Sequence, residues 1–303
     1  TAGLGQFITC QGFANEAMLS TIIGAVMNII LDPIFIFLFN MGVRGAAIAT
    51  VISQACSCAF VLWFLFSDRV HVKISFGGYS AKIMRRVLTF GFCPFIIIAG
   101  DSVLIIALNT VLQQYGGAQG DMLIACATIV QSYMQIVTLP LGGITSGTQP
   151  VLSFNYGAKN IDRIRQGEKE IVKMAFAFCL VMFIISQTVS GVFVRLFTQN
   201  PEYIALSIQS IRIYTFGIIP LALQYSFVDG IIKVSVSLSV FRKVLFLVFT
   251  LALPAFFGAS SAFYAEPIVD IFCGLFSTAV FLSIIGRVLR KREQMPEGQS
   301  LYS

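Results

Sequence analysis

The sequence predicts an all-α membrane protein with about eight transmembrane helices plus a partial one. The chain of 303 residues is 57% apolar and only 11% charged, and no soluble domain of this size needs so much apolar surface. Several charge-free stretches are longer than the roughly 20 residues that a spanning helix takes. Backbone amides in lipid must find partners within their own segment, so these runs form helices rather than strands. The stretches are residues 45–67, 122–158, 174–194 and 244–265.

The distribution of lysine and arginine predicts the topology. All of them except Arg44, Arg195 and Arg212 fall into four clusters. Basic residues beside spans mark the cytoplasmic side, so the clusters predict cytoplasmic connections and a cytoplasmic C-terminus. The net charge of +6 therefore reflects topology and does not indicate a nucleic-acid partner. The clusters are residues 69–86, 159–173, 233–243 and 287–292.

The first part of the chain predicts a partial lobe. Residues 1–11 carry no charge and resemble the tail of a span, and the first full span is about 17–39. Pro33 in that span removes one helical hydrogen bond and predicts a kink beside Asp32. The next span, 45–66, has small residues along one face, which favours close helix packing. The predicted domains are a partial lobe over 1–67, a cytoplasmic linker and amphipathic segment over 68–86, a six-helix lobe over 87–292 and a tail over 293–303.

The six spans of the second lobe follow in order. The span at 122–154 is interrupted by the sequence Pro-Leu-Gly-Gly at 140–143, and its length requires a tilt or a kink. The span at 172–197 is a plain apolar helix. The remaining spans cover about 87–111, from the turn at 200–201 to 232, 244–257 and 262–288.

Acids inside the spans are the candidates for chemistry, because a charge at mid-bilayer costs on the order of 2.5 to 3.5 kcal/mol. Glu266 and Asp270 lie near a helix start, where a carboxylate complements the helix dipole. Asp101 and Asp229 lie deeper, and Tyr225 is four residues before Asp229 on the same helix face. Two carboxylates and a phenol suit the binding of Na+ or the loading and release of a proton.

A second candidate polar site is Asp32, which also has a structural interpretation as a brace for the proline kink. The polar residues that are candidates to line a cavity are Gln131, Tyr133, Gln135 and Gln224. Phe-rich walls with a few acids suit lipophilic cations, through burial and cation–π attraction.

The residue types argue against an enzyme or a metal centre. The chain has one histidine and seven cysteines, and the cysteines are scattered through apolar runs as small buried hydrophobes. The sequence therefore does not supply the set of residues that a catalytic triad or a histidine metal site requires. We expect no catalytic residues, no bound metal centre and no cofactor beyond Na+ or H+ as a coupling ion.

Five sequence stretches resemble the multidrug and toxic compound extrusion (MATE) family, in its MepA-like bacterial branch. NIILDPIFIFLFNMGVRGAAIATVISQ is similar to the fifth and sixth helices of that family. PLGGITSGTQPVLSFNYGAKN is similar to the eighth helix. PLALQYSFVDGI, FRKVLF and YAEPIVD are similar to helices ten to twelve. The resemblance covers nearly the whole chain and implies helices five to twelve of a two-lobe, twelve-helix transporter, with the N-terminal helices missing.

The resemblance also implies a function. Members export drugs by alternating access while Na+ or H+ enters, and the positions of their cation site match Asp101, Tyr225 and Asp229. The expected function is a cation-coupled multidrug efflux antiporter for lipophilic, often cationic compounds. Alternatives are a lipid-linked saccharide flippase of the same superfamily and a non-transporting fragment. We expect a multi-pass protein of the bacterial cytoplasmic membrane that contacts drugs and lipid, with no nucleic acid and no obligate protein partner.

Overall fold

The protein is built from helices. The computed structural model describes residues 2–74, 77–228 and 232–293, and this part of the chain contains no strand. Seven of its helical stretches are long and apolar enough to cross a membrane. The longest, Phe95–Gly157, has 63 residues and contains two helices, so the prediction of an all-α membrane protein with about eight spans is confirmed. The predicted tail after residue 293 lies outside the described residues.

The chain divides into two compact units, Thr1–Ala81 and Lys82–Ser303, and the boundary falls inside the segment predicted as the linker. The first unit contains helices α1 (Ala2–Cys10), α2 (Ala14–Pro33) and α3 (Gly42–Leu65). Its small core joins α1, α3 and the start of the connection that follows α3. The buried members of this core are Ile8, Val61, Phe64, Leu65 and Val70.

The Asp-Pro pair ends α2 and starts a different helical turn. Pro33 is the last residue of α2, and Ile34–Leu38 form a π-helix. Proline has no N–H to donate to the α-helical ladder, and a π-turn lets the chain continue as a helix with a changed hydrogen-bond register. A Cβ added at Gly45 would lie 2.7 Å from the Phe35 carbonyl oxygen, so glycine allows α3 to pack directly on this turn.

The second unit contains eight helices among its described residues. They pack around a main apolar core formed mostly by α5, α6, α8 and α9, with the end of α4. The helices are α4 (Ala81–Gly116), α5 (Gly120–Gly157), α6 (Ile161–Thr188), α7 (Ser190–Arg195), α8 (Pro201–Tyr214), α9 (Ile218–Val228), α10 (Ile232–Phe257) and α11 (Ala265–Glu293).

Two sequence predictions about these helices are wrong. The predicted interruption at 140–143 does not occur, because α5 is continuous over 38 residues with Pro140 and Pro150 inside it. Each proline removes one hydrogen bond of the ladder, and the bonds on both sides keep the helix intact. The predicted plain helix at 172–197 is instead divided, with α6 ending at Thr188 and α7 starting at Ser190.

A third difference concerns the basic cluster at 233–243, which was predicted to be a cytoplasmic connection. Arg242 and Lys243 lie inside α10, within the span-length stretch Ser237–Phe257. At about 1.5 Å per residue, Arg242 lies about 15 Å from one end of α10 and about 22 Å from the other. Both residues are therefore helical rather than part of a loop, and they lie in the first half of the span-length stretch.

Candidate functional site

A cavity of about 190 Å³ in the second unit lies between α4, α5, α8, α10 and α11. Its polar wall contains two carboxylates, Asp101 and Glu266, the guanidinium of Arg242 and two amides, Gln131 and Gln135. Apolar and aromatic side chains form the remainder. They include Leu104, Ile105, Leu108, Met134, Tyr214 and Phe246.

Arg242 is held by two carboxylates of α11. Its Nη2 donates to Asp270 Oδ1 at 2.7 Å and its Nε donates to the same oxygen at 3.0 Å. Nη2 also donates to Glu266 Oε1. Glu266 and Asp270 are four residues apart and therefore lie on one face of α11. The arrangement places one cation and two acids where water is scarce, since the side chains are only 19% (Arg242), 13% (Glu266) and 0% (Asp270) exposed.

The second oxygen of Asp270 is left without a hydrogen bond. Among the described residues no donor reaches Asp270 Oδ2, although the atom is buried. A Cβ added at Gly217 would lie 2.7 Å from the Asp270 Cβ and 3.1 Å from Oδ2, so the turn between α8 and α9 packs directly over this carboxylate. A buried acceptor without a partner costs about 1 to 3 kcal/mol.

Lys243 pairs with the acid of α4 that lines the cavity. Its Nζ donates to Asp101 Oδ1 on α4. A Cβ at Gly100 would lie 2.8 Å from the Lys243 Cδ. Because glycine has no side chain, the Lys243 side chain can pass over Gly100 to reach Asp101. Successive residues of a helix point about 100° apart, which explains how Arg242 faces α11 while Lys243 faces α4.

The charges around the cavity do not balance. Three carboxylates, those of Asp101, Glu266 and Asp270, face the two cations of α10. The cluster therefore has a formal charge of −1 when every group is ionised. Within the described residues no three metal-ligating side chains come together as a metal site.

The candidate cavity residues from the sequence divide into two groups. Gln131 and Gln135 line the cavity. Tyr133 and Gln224 are buried instead, at 3% and 5% exposure, and Tyr133 packs edge to face against Phe193 with ring centroids 5.3 Å apart. The difference follows from the helical period, because residues 131 and 135 share a face of α5 and residue 133 points elsewhere.

Two of the three candidate cation-site residues, Asp101 and Tyr225, lie among the described residues. Asp101 lies on the rim of the cavity with its carboxylate bound to Lys243. Tyr225 is partly buried on α9 against the main core, and it is not among the described residues that line the cavity. Asp229 lies outside the described residues. Asp32 belongs to the first unit, where it accepts a hydrogen bond from Asn28 Nδ2 at 3.2 Å.

Sequence reasoning missed the cluster around Arg242. It assigned Arg242 to a connection outside the membrane, and it explained Glu266 and Asp270 by the helix dipole without a buried cation. A usable signal was present, because two acids at spacing i, i+4 in an otherwise apolar helix need a buried cation. The sequence FRKVLF supplies such a cation within an apolar run.

Three comparisons bear on the family. The family model MatE matches residues 98–240. The multidrug export protein MepA of Staphylococcus aureus (strain bovine RF122 / ET3-1) is 22% identical over 303 residues, covering 97% of this chain and 66% of the relative. The MepA of Staphylococcus saprophyticus is 29% identical over 188 residues, covering 61% of this chain and 40% of the relative.

Solved structures show the same fold. A MATE transporter in complex with MaL6 superposes with a TM-score of 0.85 at 23% identity, covering 94% of this chain and 65% of that one. A multidrug resistance MATE family transporter of the MOP superfamily, in its outward-facing conformation, gives a TM-score of 0.84 at 23% identity, with the same coverage.

Membrane-length helices and the fold shared with these solved structures define a multi-pass, all-α membrane protein. Residues 98–240 of the chain match the MatE family model, and the relatives that resemble the chain over most of its length are MepA proteins. It spans 66% of the length of those relatives.

Proposed function

We propose that this chain functions in a cation-coupled multidrug efflux antiporter, with the proton as the coupling ion. The observation that carries the proposal is the charge imbalance around Arg242, where three carboxylates meet two cations beside a partly aromatic cavity. The names of the MepA relatives, which are multidrug export proteins, support export as the direction and drugs as the cargo.

The choice of a proton follows from ligand number. A proton needs one carboxylate oxygen, such as the unpartnered Asp270 Oδ2, whereas a hard metal cation gathers several oxygen ligands. Proton binding at Glu266 or Asp270 brings the cluster to neutrality. The neutral cluster no longer attracts a second cation, which is the condition that exchange requires.

Exchange with a drug follows from competition for the same charge. A lipophilic cation near Tyr214 and Phe246 is stabilised by cation–π attraction to the two rings. It is also attracted electrostatically by the net negative charge of the cluster. Each ligand therefore weakens the binding of the other, and the coupling is reciprocal. The cavity is smaller than the ~300–1,000 Å³ typical of drug pockets, so we assign it to ion coupling and to one end of the drug path.

The remaining sequence expectations enter here as proposals. We place the protein in the bacterial cytoplasmic membrane with the start of α6 and the end of α11 in the cytoplasm, since both are rich in basic residues. Its contacts are drugs and lipid, with no obligate protein partner. A flippase for an anionic lipid-linked saccharide is less well supported, because the cavity carries net negative charge.

The test is ethidium exchange in proteoliposomes under an imposed proton gradient. We expect Asp270→Asn and Glu266→Gln each to reduce proton-driven exchange at least tenfold, because either change removes the charge that binds the proton. Asp121→Asn is the matched control, since it neutralises an exposed acid in the first turn of α5. Asp101→Asn and Asp229→Asn, measured in parallel, test the positions implied by the family resemblance.

Two results would contradict the proposal. Wild-type exchange in both α11 variants would remove the Arg242 cluster from coupling. Exchange that responds to a Na+ gradient and ignores the proton gradient would replace the proposed ion. Size-exclusion profiles of the variants separate lost coupling from lost folding.

A further inference from the structure

A second cavity of about 480 Å³ lies away from the Arg242 cluster, between α6 and α11. Both helices pack against α9, and the groove opens between them where they diverge. Its floor includes Phe227 of α9, which stacks on Phe281 of α11 with ring centroids 4.4 Å apart. The walls are almost entirely apolar. They include Val172, Leu282, Ile285 and Leu289.

One rim of this groove carries a row of cations. Arg165, Lys169 and Lys173 line it and recur every fourth residue, so they follow one face of α6 over about 12 Å. Lys173 pairs with Glu170 at 2.7 Å. Among the described residues no carboxylate forms an ion pair with Arg165 or Lys169, and the half-buried Glu168 is the one acid that lines the groove.

The position of the row suits the surface of a bilayer. Arg165 and Lys169 precede the apolar run of α6 that begins near Val172, so they lie where the span meets the headgroups. The apolar groove continues from them toward the hydrocarbon. A ligand that fills both parts therefore has an anionic head and an apolar tail.

We propose that this groove is a binding site for an anionic phospholipid, with its phosphate against Arg165 and Lys169 and an acyl chain between α6 and α11. Basic pockets between transmembrane helices bind anionic headgroups, and each nearby Lys or Arg strengthens that binding. A zwitterionic lipid gains less from the same cations. A lipophilic cation is repelled by them, which separates this groove from the drug path.

The site is independent of the proposed transport mechanism, because it shares no lining residue with the cavity beside Arg242. It also forms within the second unit alone. Its test is therefore a binding measurement that needs no transport.

The experiment is native mass spectrometry of the purified chain in detergent, titrated with phosphatidylglycerol or with phosphatidylcholine of the same acyl chains. We expect one phosphatidylglycerol to bind at least tenfold more tightly than phosphatidylcholine. The double variant Arg165→Gln/Lys169→Gln is expected to lose at least tenfold in phosphatidylglycerol affinity. Arg163→Gln, an exposed arginine on the same helix outside the groove, is expected to stay within twofold.

A second variant tests the apolar half. Gly286 lines the groove, and a Cβ there meets no atom within 4 Å. Gly286→Leu therefore fills open space and is expected to weaken phosphatidylglycerol binding at least fivefold with every cation in place. Gly142→Leu, at another open position, is the control for added bulk.

Four outcomes would overturn the proposal. These are equal affinity for the two lipids, unchanged affinity in Arg165→Gln/Lys169→Gln, an equal loss in Arg163→Gln, and competition by soluble glycerophosphoglycerol at the lipid's own concentration. The last would show that a free phosphate compound suffices and that the groove contributes nothing.

Discussion

At the scale of residues, Arg242 determines the electrostatics of the second unit. It is the cation for both Glu266 and Asp270, and it lies within the span-length stretch Ser237–Phe257. An arginine there would be costly alone, and two carboxylates without it would be costly as well. The three groups therefore stabilise one another.

Replacing Arg242 with methionine is expected to destabilise the protein by about 3 to 5 kcal/mol, because both carboxylates then remain buried without their cation. The measurement is thermal unfolding in detergent at constant pH. The matched control is Arg195→Met, which removes an exposed arginine at the end of α7.

The triple variant Arg242→Met/Glu266→Gln/Asp270→Asn is expected to recover most of that stability. It removes cation and acids together, and a buried ionic group replaced as a whole is often neutral or stabilising. If the single variant were as stable as the wild type, Arg242 would not be the counter-ion that holds these acids.

At the scale of elements, the contact between α9 and α11 depends on glycine. A Cβ added at Gly274 would lie 2.5 Å from the Pro220 carbonyl oxygen, so the two helices meet backbone to backbone. Small residues at such contacts let membrane helices approach closely. Because Asp270 is one turn before Gly274, this close approach also keeps solvent away from the buried carboxylate.

Gly274→Ala is expected to separate α9 from α11 and to destabilise the protein by about 1 to 3 kcal/mol, as overpacking does. Gly286→Ala on the same helix is the control, because its added Cβ meets nothing within 4 Å. That control is expected to be neutral or to stabilise by up to about 1 kcal/mol through helix propensity. Equal unfolding temperatures for the two variants would contradict the packing argument.

At the scale of the whole molecule, the described residues between α3 and α4 have no regular secondary structure. Residues 66–74 and 77–80 form turns and extended chain rather than helix or strand. Arg69 and Lys73 lie in this stretch, and Lys82 is at the start of α4 with an exposed side chain. Exposed segments of this kind are the preferred sites of proteolysis.

Limited trypsin digestion of the chain in nanodiscs is expected to cut first within residues 69–82, separating the two units before any long helix is cut. Mass spectrometry of the fragments identifies the site. The variant Arg69→Gln/Lys73→Gln/Lys82→Gln is expected to slow this cut at least fivefold. A first cut at Arg163 or Arg165 in α6 would contradict the assignment of the connection.

Much of the fold was predictable from the sequence because lipid imposes a simple rule. Long apolar runs must be helices, and this rule fixed their number. The predictions failed where the same residue type can have two different effects on a helix. Prolines predicted an interruption of α5 that does not occur, since the helix tolerates the loss of single hydrogen bonds, whereas Pro33 does convert the helix into a π-turn.

The sequence by itself determined the class of protein, the membrane helices and which acids need an explanation, because these follow from local composition. It also indicated Gln131 and Gln135, whose spacing on one helix is local. Only the tertiary structure decided the partners of those acids. The pairings Arg242 with Glu266 and Asp270, and Lys243 with Asp101, join helices distant in sequence, and packing alone determines which of them meet.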